Sequence, residues 1–173
     1  MSKRERNESA CSVLSSHLYV CKASYGLSMG FALPKPKLTS HPVDVGHRAE
    51  AAILSELVKR GYSVLLPFGV NQRYDLVLDC NGRFLKAQCK SGRLRDGVIE
   101  FRACSTQSNR KCTRVRDYAG QVDLFVVYCP ETEGVFAIPA DEVPASGMYL
   151  RVHPTRNRQN KRVRWAKEYE LPA

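Results

Sequence analysis

The sequence predicts a single domain of the α/β (α+β) class with a central sheet. Its 173 residues, 43% of them hydrophobic, can bury one core but are too few for two ordinary domains. One amphipathic helical pattern is followed by several short strand-like runs. The dipeptide Asn81-Gly82, between two of those runs, is typical of a tight hairpin turn.

Regular patterns begin at Asp44, so residues 1–43 are interpreted as a weakly ordered N-terminal extension and 44–173 as the domain. The extension mixes Ser, Cys, Lys and Pro without periodicity, and Pro34, Pro36 and Pro42 interrupt it. It leaves room for one short helix near residues 12–22.

The elements of the domain follow from local signals. Asp44 is predicted to cap a helix that runs to about Arg60, and Gly61 ends it. Pro67 ends the first strand, and the Asn-Gly turn separates the second strand from the third. The predicted strands are 62–66, 74–79, 83–90, 98–103, 122–128 and 135–138, with a basic polar loop at 105–116 and a basic tail from Arg151.

Glu50 lies on the apolar side of the predicted helix. At helical spacing it shares a stripe with Ile53 and Leu57, so we expect it to point toward the sheet. A partly buried carboxylate is costly unless a cation or hydrogen bonds compensate it. The alternative is that Glu50 bends outward and only favours the helix dipole from the first turn.

The hairpin places three further polar side chains on one face of the sheet. With Asn81 and Gly82 as the two turn residues, Asp75 faces Gln88 directly. Alternation along the third strand puts Lys90 on the same face as Gln88, and puts Leu85, Ala87 and Cys89 on the core face. The alternative is a solvated polar face on an antiparallel ribbon.

Together with Glu50, this cluster would suit phosphodiester hydrolysis. Carboxylate and amide oxygens are ligands that Mg²⁺ or Mn²⁺ prefers. A lysine beside them can orient or help deprotonate a water, or neutralise charge that develops on a phosphate. The candidate catalytic residues are Glu50, Asp75, Gln88 and Lys90, and the candidate metal ligands are Asp75, Gln88 and Glu50.

The charge balance favours a polyanionic partner. The chain carries 27 Lys and Arg against 17 Asp and Glu, a net charge of +10. Residues 83–118 hold ten cations against three acids, and residues 151–167 hold seven against none. Simple solubility is the alternative explanation. The candidate DNA-binding residues are Arg73, Lys86, Arg93, Arg102, Arg110, Lys111, Arg114 and Arg116.

Composition argues against several other classes of protein. The seven cysteines lack the short spacings of zinc sites and predict free thiols in a reducing compartment. No run approaches the roughly 18 apolar residues of a membrane span, and no clean signal peptide begins the chain. We therefore expect a cytoplasmic protein with no membrane partner.

These residues resemble the PD-(D/E)XK nuclease superfamily, and within it the homing endonucleases associated with group I introns. The similar segments include Gly46-His47-Arg48-Ala49-Glu50, Arg73-Tyr74-Asp75-Leu76-Val77 and Ala87-Gln88-Cys89-Lys90. Similarity extends over roughly 44–171. It implies a restriction-endonuclease-like core with a central mixed sheet flanked by helices, and a metal-dependent, sequence-specific endonuclease that acts on double-stranded DNA.

The resemblance also implies a role for each candidate residue. Asp75 would be the principal metal ligand, Glu50 a supporting acid, Gln88 the counterpart of the second acidic residue, and Lys90 the catalytic lysine. Tyr74 stands where the superfamily has proline, a position without chemistry. Gln88 replaces Asp or Glu, as in the homing branch, and this leaves the number of metal ions open.

The same residues also bear on the number of subunits and are compatible with two other functions. Because one such site cuts one strand, a double-strand break favours a homodimer, and the family resemblance also permits a homotetramer. A Holliday junction resolvase would share the same core but recognise DNA shape. A non-catalytic DNA-binding protein with a decayed site is the alternative from another class, since Gln88 already departs from the superfamily pattern.

Overall fold

A computed structural model of the protein describes residues 39–69, 71–108, 112–155 and 161–172. Its one α-helix in these ranges, α1, spans Pro42–Lys59. Pro42 occupies the first turn, where its missing N–H costs nothing and its fixed φ suits the helix. The predicted cap was therefore wrong: His41 is the N-cap residue, Asp44 lies in the first turn, and Pro42 and Val43 belong to the helix and not to the extension.

The end of α1 was predicted correctly. Gly61 has a φ of 81°, in the left-handed region that glycine adopts without strain. Its N–H donates to the Val58 carbonyl oxygen over 3.0 Å, and the Tyr62 N–H donates to the Leu57 carbonyl oxygen over 3.0 Å. These two bonds form the Schellman motif, which satisfies the last carbonyl groups of a helix.

In the described ranges, ten strands form three sheets. They are β1 (Ser63–Leu65), β2 (Leu76–Cys80), β3 (Arg83–Ser91), β4 (Arg93–Arg95), β5 (Val98–Phe101), β6 (Ser105–Ser108), β7 (Thr113–Arg116), β8 (Leu124–Cys129), β9 (Gly134–Pro139) and β10 (Met148–Arg151). The central sheet has the order β1-β2-β3-β8-β9. It is mixed, because β3 and β8 run parallel while its other pairs are antiparallel.

The central sheet has a core on each face. On one face α1 buries Ile53 and Leu57 against Leu76, Ala87 and other apolar residues of β2, β3 and β8. On the other face the sheet β10-β5-β4 covers β8 and β9. The predicted fold class is thus confirmed, but in the described part of the chain a helix covers one face only and a second sheet covers the other.

Backbone pairing orders several segments that were not predicted as strands. The predicted basic loop at 105–116 contains the two-stranded ribbon β6–β7. Two short strands, β4 and β10, were not predicted. Alternating arginines made β4 appear polar, and its turn to β5 places both Asp96 and Gly97 at positive φ, 47° and 74°, as in a type I′ turn.

The basic tail returns to the central sheet. Arg151 bridges to Trp165, and the Ala137 N–H of β9 donates to the Tyr169 carbonyl oxygen over 2.7 Å. Leu171 is buried in the core under α1, and the Arg60 guanidinium donates to its carbonyl oxygen over 2.5 Å. The last residues of the described chain therefore belong to the domain.

Two further expectations concern a helix in the N-terminal extension and the absence of a membrane span. The possible helix near residues 12–22 lies outside the described residues. Within the described ranges, no helix combines the length and the apolar character that a membrane crossing requires.

Candidate active site

Asp75 lies immediately before β2, opposite β3. Its backbone N–H donates to the Ala87 carbonyl oxygen over 2.9 Å, which continues the pairing of the two strands. Its carboxylate Oδ2 accepts a hydrogen bond from the Cys89 backbone N–H over 2.8 Å and another from the side-chain Nε2 of Gln88. The third strand therefore fixes the orientation of this carboxylate.

Gln88 is only 8% exposed, although its side chain ends in a polar amide. The predicted hairpin register is confirmed, because Leu76 pairs with Ala87 and the next position outward brings Asp75 against Gln88. Besides Asp75, Nε2 approaches the Cys89 carbonyl oxygen at 3.4 Å. An uncharged amide can be buried here because it donates to both neighbours.

Lys90 lies two residues further along β3, opposite Val127 of β8, and its ammonium group turns toward Tyr118. Nζ donates to the Tyr118 hydroxyl oxygen over 3.1 Å and lies 4.5 Å from the centre of the ring. Burial raises the pKa of Asp75, and the positive charge of Lys90 offsets part of that rise, so the two groups interact. As predicted, Ala87 and Cys89 lie in the core on the α1 side.

Glu50 is half-buried on α1 and interacts electrostatically with Asp75. Burial is the main reason that the pKa of Glu50 is raised, and repulsion by the Asp75 carboxylate adds to it. Burial also raises the pKa of Asp75, and the bond from Cys89, the charge of Lys90 and the bond from Gln88 offset this in part. The structure thus brings Asp75, Gln88 and Lys90 together on the central sheet, and Glu50 on α1 lies near enough for the Asp75 carboxylate to act on its charge.

The oxygen donors of this cluster fit a hard divalent cation. Asp75 and Glu50 supply carboxylates, and Gln88 supplies an amide whose oxygen and nitrogen exchange places on rotation by half a turn. That rotation would put Oε1 beside Asp75 Oδ2 and the Cys89 carbonyl oxygen, an arrangement that needs a cation among the oxygens. The third donor of this set is an amide, and the described ranges contain no group of three or more His, Cys, Asp or Glu side chains suited to a metal.

The sequence did not predict the contact of Tyr118 with Lys90 or the hydrogen bonds around Arg73. Arg73, predicted as a DNA-binding residue, donates to the Gln121 side chain over 2.7 Å, to Ser105 Oγ over 3.0 Å and to the Asp117 carbonyl oxygen over 2.5 Å. Its guanidinium carbon also lies 4.1 Å from the centre of the Tyr118 ring. All three of its nitrogen atoms thus bond within the domain, which no spacing in the sequence indicated.

The other predicted DNA-binding residues lie mostly on the surface. Arg110 and Lys111 lie outside the described residues. Lys86 is exposed, with its Nζ 5.9 Å from the centre of the Tyr74 ring. The remaining four are exposed on β4, after β5 and on β7, namely Arg93, Arg102, Arg114 and Arg116.

The match to a family model, together with the fold, identifies the class of protein. A family model described as PD-(D/E)XK endonuclease matches residues 40–172, so the chain belongs to that family, whose members generally use divalent metal ions. Among solved structures, it is similar to a bacterial homing endonuclease, I-Ssp6803I. The identity is 28% and the TM-score 0.63, with 75% of this chain and 88% of that chain covered. No curated protein sequence matches this chain.

Proposed function

We propose that this nuclease is a divalent-metal-dependent, sequence-specific endonuclease that cuts double-stranded DNA, of the intron homing type. The observation that carries the proposal is the contact of Asp75 with Gln88 beside Lys90 and Glu50, in a chain that belongs to a nuclease family. The similarity to a homing endonuclease supports the finer assignment. The target of such an enzyme would be the gene copy that lacks the intron.

Different residues of the candidate site would have different roles in hydrolysis. Asp75, Gln88 and Glu50 would hold Mg²⁺ or Mn²⁺, which when bound supplies positive charge to the phosphate and lowers the pKa of a water. Lys90 has three N–H donors, one of which bonds to Tyr118, so the others can orient the attacking water or stabilise charge on a phosphate oxygen. The core between the central sheet and the sheet β10-β5-β4, which contains Phe125 and Val127, excludes bulk water on the inner side of Lys90.

The exposed basic residues would bind the DNA duplex. Arg114 and Arg116 are two residues apart on β7 and therefore share one face of the ribbon β6–β7. A two-stranded ribbon is narrow enough to enter the major groove, where arginine can read guanine, and it can also follow the phosphates. Arg93 and Arg102 add charge on the neighbouring sheet, and the net charge of +10 favours release of counterions.

A double-strand break requires two sites, and we propose a homodimer or homotetramer that presents them symmetrically. Sedimentation of the free protein would establish the number of subunits. Counting the cuts per binding event on a supercoiled plasmid would show whether both strands are cut together. A monomer that only nicks one strand would contradict this part of the proposal.

The test of the function uses a library of duplexes with a randomised segment, incubated with purified protein and Mg²⁺ or Mn²⁺. Sequencing of the ends should show cleavage at one recurring sequence, and chelation with EDTA should stop it. A four-way junction made from unrelated sequence is the comparison substrate. Preferential cutting of that junction, or binding without any cutting, would contradict the proposed function.

A further inference from the structure

We propose that Tyr118 is a positioning residue for Lys90, which holds the ammonium group at the reacting phosphate through its hydroxyl oxygen and the face of its ring. The inference rests on the proposed catalytic role of Lys90. Two observations carry it directly: the hydrogen bond of 3.1 Å from Lys90 Nζ to the Tyr118 hydroxyl, and the distance of 4.5 Å from Nζ to the ring centre.

A lysine needs such support more than a carboxylate on a short side chain does. Its ammonium group is a point charge at the end of a four-carbon stem, and fixing that stem costs conformational entropy. The Tyr118 contacts fix the stem when the protein folds, so the loss of freedom does not oppose the chemical step. One of the three N–H donors is used, and the other two stay available for a water or a phosphate oxygen.

Tyr118 is itself held firmly, as a positioning residue must be. It is 7% exposed, and its ring meets that of Phe125 edge to face, with ring centres 5.7 Å apart. Its carbonyl oxygen accepts a bond of 2.9 Å from the Gln121 N–H, which closes the turn before β8. The hydroxyl group therefore has little freedom to leave the position that meets Nζ.

Arg73 also contacts the Tyr118 ring and the segment that carries it. It bonds to the Asp117 carbonyl oxygen and to the Gln121 side chain, and these two residues flank the turn that begins at Tyr118. Its guanidinium carbon lies 4.1 Å from the centre of the Tyr118 ring, a distance typical of a cation–π contact. Arg73 thus acts on Lys90 through Tyr118.

The test is Tyr118→Phe, which keeps the ring, its contact with Phe125 and its packing, and removes only the hydroxyl. Single-turnover cleavage should slow by about tenfold to a hundredfold, because the lost hydrogen bond involves a charged group. The affinity for DNA should stay unchanged. The lost bond should lower the midpoint of thermal unfolding, but the variant should remain fully folded at the assay temperature. Tyr128→Phe, on the α1 side of the central sheet, removes the same atom away from Lys90 and should leave cleavage unchanged.

Removal of the hydroxyl in a Lys90→Ala background shows whether Tyr118 acts through Lys90. The double variant Lys90→Ala/Tyr118→Phe should cleave at the residual rate of Lys90→Ala alone. A further loss by the same factor as in the wild type, or a loss of DNA affinity in Tyr118→Phe, would overturn the inference. Cleavage at the wild-type rate by Lys90→Ala would instead refute the proposed function. If Lys90→Ala is inactive but Tyr118→Phe cleaves at the wild-type rate, only the positioning role is refuted.

Discussion

Replacement of Gln88 by glutamate tests the electrostatics of the candidate site most sharply. The Gln88 amide donates to Asp75 Oδ2 in a position that is only 8% exposed. Gln88→Glu replaces this donor with an oxygen and adds a negative charge beside a carboxylate whose pKa burial already raises. We expect the variant to be less stable than the wild type without metal.

The size of the effect follows from two losses. A hydrogen bond to a charged group contributes about 1.5–3 kcal/mol to stability. Two carboxylates whose charges lie about 4 Å apart repel by roughly 4 kcal/mol at an effective dielectric constant of about 20. Relaxation and partial proton uptake reduce the sum, so we expect a net destabilisation of about 2–4 kcal/mol while both groups are ionised.

The dependence on pH has a definite sign. Repulsion raises the pKa of the pair in the folded state above its value in the unfolded chain, so the folded state binds more protons between the two values. The variant therefore loses stability as the pH rises through the raised pKa, and recovers most of it below that pKa, where one proton is shared. The wild type should show a weaker form of this trend, from Asp75 and Glu50.

Urea unfolding with EDTA, at about pH 5 and at about pH 8, measures both effects. Excess Mg²⁺ should then stabilise Gln88→Glu more than the wild type, since the introduced carboxylate adds charge to the metal ligands, and a metal at a hundred times its Kd adds about 2.7 kcal/mol. Equal stability of the two proteins at both pH values, with equal responses to Mg²⁺, would refute the contact between Gln88 and Asp75 as the centre of the site.

Three other outcomes test separate parts of the account. Asp75→Asn should raise the stability of the metal-free protein at neutral pH, because the raised pKa of Asp75 means that its ionisation opposes folding; urea unfolding with EDTA that shows no gain would contradict this. Arg114→Ala, if it removes one phosphate contact, should make the negative slope of the logarithm of the DNA-binding constant against the logarithm of salt concentration shallower by about 0.9. An unchanged slope in a salt titration would show that Arg114 does not contact a DNA phosphate. Gly147→Ala should destabilise the fold by about 2–4 kcal/mol, because a Cβ there would lie 2.2 Å from the Phe101 carbonyl oxygen. Gly120→Ala, also at positive φ but with no atom within 4 Å, is its matched control and should cost clearly less in thermal unfolding.

The parts of the fold that local sequence signals determine were predicted well. Gly61 ended the helix and Asn81-Gly82 formed the hairpin turn, because only glycine or asparagine adopts their positive φ at little cost. The register of that hairpin then placed Asp75 against Gln88 without knowledge of any distant contact.

The features that depend on distant contacts were missed. Tyr118 lies 28 residues from Lys90 in the chain, and Arg73 lies 48 from Gln121, so no local spacing connects these pairs. The ribbon β6–β7 and strand β10 were not predicted, because polar or mixed sequences become strands only when a partner strand supplies their hydrogen bonds. The start of α1 at Pro42 was missed because a proline that breaks a helix interior is favoured in its first turn.

The central claim is that the cluster around Asp75 performs metal-dependent cleavage of bound DNA. The most direct measurement compares wild type and Asp75→Asn on one cleaved duplex, with binding and single-turnover cleavage recorded in the same Mg²⁺ or Mn²⁺ buffer. Asp75→Asn should bind that duplex about as tightly as the wild type and cleave it about a thousandfold more slowly or not at all. Cleavage by Asp75→Asn at the wild-type rate would contradict the account.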